Sequence, residues 1–85
     1  MTAASSMGFA AEQKARLYSL LLKLAAEDLA VQVDRVADVR DLPLDVRGEI
    51  ADVLGHEAAL RGFDRYDRRT RYGEELDGLI EALGL

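Results

Sequence analysis

Apolar positions crowd most densely at Leu17-Tyr18-Ser19-Leu20-Leu21-Leu22-Lys23-Leu24-Ala25-Ala26. Wound at about 100° per residue, this run separates into two stripes, more than one helix face can bury. Tyr18, Leu22, Ala25, Leu29, Val33 and Val36 step by threes and fours, the spacing of one continuous seam. We take that seam as the core face of a first helix that begins near Phe9 or Ala10 and ends close to Asp41, with no Gly or Pro between to stop it. Residues Leu29 to Val33 alternate as a strand would, but one short strand has nothing to pair with, so the segment is read as helix, kinked at most.

Leu17, Leu20, Leu21 and Leu24 lie to one side of the seam, and this second stripe stops at Asp28 one turn later. Leaving four leucines in water would forgo roughly 1.5–3 kcal/mol each, so something covers them. Other helices of the chain can do so, as can a second copy. A short chain has few helices to share, and the expectation is a homodimer with Leu17, Leu20, Leu21 and Leu24 at its interface.

Pro43, the single proline, disfavours helix at Leu42 and suits the first turn of a second helix, with Asp45 near its N-terminus. That helix is predicted from about Pro43 to Arg61, closed by Gly62 as a left-handed cap with Phe63 folding back over it. Val46, Ile50, Val53, Leu54 and Leu60 gather on one side, and Gly48, Ala51, Gly55, Ala58 and Ala59 on the other. The two glycines predict either a close backbone approach on that small face or a solvated face. Residues 63–69 form a linker in which Asp64 with Arg68, and Asp67 with Arg71, have the spacing of side-chain pairs on a helical turn. Thr70 caps a third helix that ends at about Leu83, with Tyr72, Leu76, Leu79, Ile80 and Leu83 in one arc. The expected fold is therefore all-α: one long helix, then two shorter antiparallel ones, in a single domain over residues 9–85 behind a disordered tail at 1–8.

Composition narrows the class. With 85 residues, 49% of them hydrophobic and 32% charged, the chain suits one small globular core and is too apolar for disorder. It has no cysteine, which removes disulfides and thiolate metal sites and fits a reducing cytoplasm. Lys14 and Arg16 before the leucines resemble a signal peptide poorly, because Ser19 and Lys23 interrupt the run, and no stretch reaches the ~20 apolar residues of a membrane span. The abundant Ala and Gly look like a GC-rich coding bias, as in many bacterial proteins. The net charge of −5 is uneven: residues 1–60 carry −4, residues 61–72 carry +3 and residues 73–85 carry −4. A basic island in an acidic protein is its main electrostatic feature.

Catalytic patterns are sparse. His56 follows Asp52 by four residues, which offers two metal ligands on one helix face, short of a site; a surface histidine beside a carboxylate is the plainer reading. Ser5, Ser6 and Ser19 stand where no Ser-His-Asp arrangement is credible, and no Gly-rich phosphate loop occurs. No enzyme, metal or cofactor is expected. Ile50-Ala51 with Leu54-Gly55 resembles the first helix and turn of helix-turn-helix DNA readers over about six residues, although His56 and Arg61 stand where that motif takes apolar residues. The island of Arg61, Phe63, Arg65, Tyr66, Arg68, Arg69, Arg71 and Tyr72 combines the preferred anchors of protein interfaces. Internal pairing with acids of the neighbouring helices is the alternative. The functional expectation is a small acidic, non-enzymatic binding or regulatory module of the antitoxin, immunity or adaptor kind. It would be a homodimer that engages an acidic protein partner through Arg61, Arg65, Tyr66, Arg68, Arg69, Arg71 and Tyr72. Binding of nucleic acid or a phosphate ligand by the same island is the runner-up.

Overall fold

The structure, a computed structural model, describes residues 11–85. The expected tail at 1–8 and the expected helix start at Phe9 or Ala10 lie outside the described residues. Four α-helices follow one another: α1 (Ala11–Lys23), α2 (Glu27–Arg35), α3 (Leu44–Arg61) and α4 (Arg71–Ala82), with a 3-10 turn at Val39–Asp41 between α2 and α3. The described residues are thus all-helical, without a strand, but the three-helix layout is corrected to four because the expected long helix is broken.

The break is at Ala25, whose φ is +62°. Its N–H donates to the Leu22 carbonyl at 3.1 Å, and the Ala26 N–H donates to the Leu21 carbonyl at 2.8 Å. These are the two bonds of a Schellman cap with Ala25 in the left-handed position, which glycine usually fills because a Cβ there costs roughly 1–2 kcal/mol. Burial outweighs that strain. On an unbroken helix Val33 would lie about 160° around the axis from Leu17, so the two stripes could not share a core. Turning back at Ala25 packs α2 on α1, and Leu17, Leu20 and Leu21 meet Leu29, Ala30 and Val33 in one buried cluster.

The two stripes of α1 therefore exchange roles. Leu17, Leu20 and Leu21, expected at a dimer interface, are wholly buried in the chain's own core, and Leu24 is half-buried. Leu22 of the expected seam is 43% exposed, and Ala25 is exposed at the turn. The seam is right only at its ends: Leu29 and Val33 are buried, while Tyr18 and Val36 pack against the core in part.

Val39 and Leu42 anchor the connection from α2 to α3 in the core, and the Asp38 carboxylate accepts from the Arg40 N–H to start the 3-10 turn. Pro43 takes the N-cap position of α3 at φ −54° and ψ 151°, one residue before the expected first turn. Arg47 then ties three segments together, donating from Nε to the Leu42 carbonyl at 3.0 Å and from Nη1 to the Leu83 carbonyl at 2.8 Å. Ile50, Leu54 and Ala58 bury the inner face of α3 against α4, which contributes Leu76 and Leu79, with Leu83 at its C-cap. The arc predicted for the last helix is observed, with Tyr72 and Ile80 partly buried at its margins.

Of the glycine expectations, one is narrowed to its solvated-face alternative and one changes. A Cβ at Gly48 or Gly55 would meet nothing within 4 Å, so among the described residues none approaches the small face of α3 closely at those two positions. Close approach occurs at a pair of other glycines: a Cβ on Gly73 would stand 2.3 Å from the Gly62 carbonyl oxygen. Gly62 itself is right-handed (φ −86°, ψ 0°), not the left-handed cap expected. A short connection forces the first turn of α4 across the end of α3, and only backbone without side chains fits at that crossing.

Candidate interaction surface

The basic island is built on the α3–α4 connection, which is a small hairpin where the sequence suggested a helical turn. Phe63 and Arg69 form an antiparallel bridge, and the Gly62 carbonyl accepts from the Thr70 N–H at 2.9 Å. Within it the Asp64 N–H donates to the Arg68 carbonyl at 2.8 Å, the Asp67 N–H donates to the Asp64 carbonyl at 3.0 Å, and Asp67 has φ +60°. This is a three-residue hairpin loop: a type I turn at Arg65-Tyr66 followed by a left-handed residue. Aspartate is one of the few non-glycine residues that accept this position at small cost.

Asp64 organises the loop. Its Oδ1 accepts from the Tyr66 N–H at 2.8 Å and the Arg68 N–H at 3.0 Å, and its Oδ2 accepts from Arg68 Nε at 3.2 Å. The backbone bond from Arg68, then that from Tyr66, lowers the Asp64 pKa below its ordinary 3.8, since both favour the charged form. Thr70 closes the hairpin and opens α4: as expected, it is the N-cap, its Oγ1 accepting from the Gly73 N–H at 3.0 Å.

On this frame the aromatic and guanidinium groups divide into sets. Arg65 and Arg68 both lie over Tyr66, at 5.9 and 5.1 Å from the ring centre, and the tyrosine is 67% exposed. Arg69 lies over Phe63 at 4.8 Å and also pairs with Asp77 on α4. Arg61 and Tyr72 converge elsewhere, on Glu57. Arg61 Nη1 meets Glu57 Oε1 at 3.0 Å, and the Tyr72 hydroxyl donates to Oε2 at 2.8 Å. Arg71 makes no ion pair among the described residues, so the expected pair with Asp67 is not formed, because Asp67 sits in the turn and not on a helix. The island thus mixes internal pairing, at Arg61, Arg68 and Arg69, with a tip of Arg65, Tyr66 and Arg68 that faces water.

Glu57 did not stand out in the sequence. It is 4% exposed, and both oxygens are satisfied, so it fastens α3 to α4 directly beneath the hairpin. Its spacing to Arg61 was the available signal, yet burial of a carboxylate cannot be read from spacing alone. Burial, then the Glu57 hydrogen bond, raises the Tyr72 pKa above its ordinary 10.0. The Lys23 ammonium lies 5.7 Å from the centre of the same ring. A second tie joins the helical hairpins: Arg16 meets Glu75 through two bonds of 2.7 and 3.0 Å, and this hydrogen bonding raises the arginine pKa.

The remaining sequence candidates fall into place around this end. Asp52 and His56 share an open cleft of about 290 Å³ with Leu24, Val53 and Glu57. Among the described residues no group of three or more metal-ligating side chains gathers there or elsewhere. A larger cleft of about 530 Å³ beside α1 includes Lys14, Tyr18, Ser19 and Asp34, with Lys14 donating to the Val36 carbonyl. The helix-turn-helix resemblance is not matched by the backbone, because α3 runs unbroken through Leu54-Gly55 and makes no turn there. Ile50, Leu54 and Ala58 on its buried face hold the helix across that glycine. No described helix is long and apolar enough to cross a membrane. No protein-family model, curated protein or solved structure matches this chain.

Proposed function

We propose that this protein is a small non-enzymatic binding module of the antitoxin, immunity or adaptor kind, with the hairpin between α3 and α4 as its recognition element. The observation that carries this reading is Tyr66, a mostly exposed aromatic flanked by two guanidinium groups on a backbone that Asp64 holds in one conformation. Rigid aromatic and arginine side chains are the residues that contribute most at protein interfaces, and a fixed loop loses little entropy on docking. Leu60 and Phe63 precede it, 62% and 44% exposed, so three large apolar side chains and several arginines fall within one short stretch. Apolar anchors with a charged rim suit a protein surface that carries carboxylates.

The acidic body of the chain supports a protein partner over nucleic acid. Outside residues 61–72 the formal charge is −8, and a field of that sign opposes a long polyanion more than a compact carboxylate cluster that touches only the hairpin. Self-association belongs to the same reading, through a surface other than the buried leucines of α1, in a cytoplasmic setting that suits a chain without cysteine.

The test is capture from nuclease-treated extract, with wild type and the Arg65→Glu/Tyr66→Ala variant as parallel baits. Loss of the captured protein in the variant, with an unchanged melting temperature, is the expected result, since exposed charges contribute little to stability. Equal capture by both baits refutes the hairpin as the recognition element. Nucleic acid retained in an untreated sample, and released steeply by salt, would favour the phosphate-binding alternative.

A further inference from the structure

The outward face of α3 carries an uncompensated charge gradient. Asp45, Glu49 and Asp52 step by four and three along its N-terminal half, all exposed, and none forms an ion pair among the described residues. His56, Ala59 and Leu60 continue the same exposed face, and the Arg65-Tyr66-Arg68 hairpin follows α3 at the helix's C-terminal end. Three neighbouring carboxylates on one helix face repel one another, and nothing from the chain's own arginines reaches them, although five arginines lie between residues 61 and 72. Arg65 and Arg71 likewise lack a carboxylate partner among the described residues.

We infer that the partner of the hairpin is a second copy of this chain, docked antiparallel along α3, so that the arginine hairpin of each copy meets the Asp45–Asp52 stripe of the other. The inference rests on the proposed role of the hairpin and names its occupant. The spacing suits a two-fold axis. Glu49 lies seven residues before His56 and Gly62 lies six after it, which at 1.5 Å per residue is about 10 and 9 Å along the helix. A two-fold near His56 therefore brings the acidic half of each α3 opposite the end from which the partner copy's arginine hairpin departs, twice, once on each side of the axis, as an isologous interface requires. Gly55 and Ala59 keep the middle of the face low, with nothing within 4 Å of a Cβ at Gly55, and Leu60 supplies apolar contact beside it. A parallel second copy would set like charges against each other at both ends, so the gradient also selects orientation.

Charge complementation tests this without an outside ligand. Sedimentation equilibrium of the full chain should give about twice the 9.3 kDa chain mass at low ionic strength. The mass should fall to that of the monomer as salt rises from about 0.01 M to about 1 M, over which the screening length shrinks from about 30 Å to about 3 Å. Asp45→Arg/Asp52→Arg and Arg65→Glu/Arg71→Glu should each be monomeric with wild-type helicity, because each doubles one sign of charge at both contacts. Their equimolar mixture should restore a dimer of one copy of each, since both contacts are then attractive, and this outcome also shows that both variants are folded. A wild type that stays monomeric at low salt overturns the inference, yet the proposed role of the hairpin stands if its variants still lose capture. A dimer that withstands both reversals, or a mixture that fails to associate, overturns it as well. If the acid reversal alone dissociates the dimer, the hairpin is not what meets the stripe and the inference falls, while capture by the hairpin variants decides the proposed function separately.

Discussion

Replacing Ala25 with glycine tests the break between α1 and α2 by the sign of one measurement. Ala25 has φ +62°, a region in which the methyl group crowds the following carbonyl and costs roughly 1–2 kcal/mol. Glycine removes that strain but adds conformational freedom to the unfolded chain, which costs about 0.4–1 kcal/mol. Because Ala25 is exposed, the methyl contributes little burial to be lost. The net expectation is a gain of about 0.5–1 kcal/mol, or a rise of a few degrees in melting temperature for a domain of this size. If the segment were instead continuous helix, the same substitution would remove about 1 kcal/mol, the cost of glycine inside a helix. The two cases differ in direction, so the measurement does not depend on an accurate magnitude. Urea unfolding followed by circular dichroism provides the assay, with the slope against denaturant unchanged to show that the same surface is exposed on unfolding. A lowered midpoint would refute the left-handed cap, and with it the account of how two apolar stripes share one core.

Three further substitutions probe the α3–α4 unit. Gly78→Ala should stabilise by up to about 1 kcal/mol, since a Cβ there meets nothing within 4 Å and alanine is the better helix former. Gly73→Ala in the same helix should destabilise, because its Cβ would lie 2.3 Å from the Gly62 carbonyl oxygen; denaturant midpoints of the pair check both signs. Tyr72→Phe should cost about 1–3 kcal/mol by leaving a buried oxygen of Glu57 without its donor. In the wild type the folded-state pKa of Tyr72 is raised, so its contribution is complete below about 10 and is lost as pH rises through the folded value, where a phenolate would face the Glu57 carboxylate. An ultraviolet titration showing Tyr72 ionising at or below the ordinary tyrosine pKa would contradict this.

Local patterns in the chain determined the elements whose ends carry strong chemical signals. Pro43 before α3, Thr70 before α4 and the one-sided arc of Leu76, Leu79 and Leu83 each act through the backbone or through a single amphipathic face, so no distant residue is needed to recognise them. The concentration of arginine and aromatic residues at 61–72 was legible in the same way. The fate of the leucine run was not, because two apolar stripes on one helix are equally consistent with a second copy and with a chain that turns back on itself. The choice depended on whether an alanine would accept a left-handed conformation in exchange for burying Leu17, Leu20 and Leu21, a comparison of strain at one residue with packing against residues far along the chain. Glycine roles were undecided for the same reason: Gly48 and Gly55 look like contact points by spacing, yet only the path of α4 over the end of α3 sets the close approach at Gly62 and Gly73. Within the island, spacing placed Arg68 beside Asp64 correctly but could not separate Arg61 and Tyr72, drawn inward to a buried Glu57, from Arg65 and Tyr66 at the tip, because burial is a property of the packed helices and not of the order of residues.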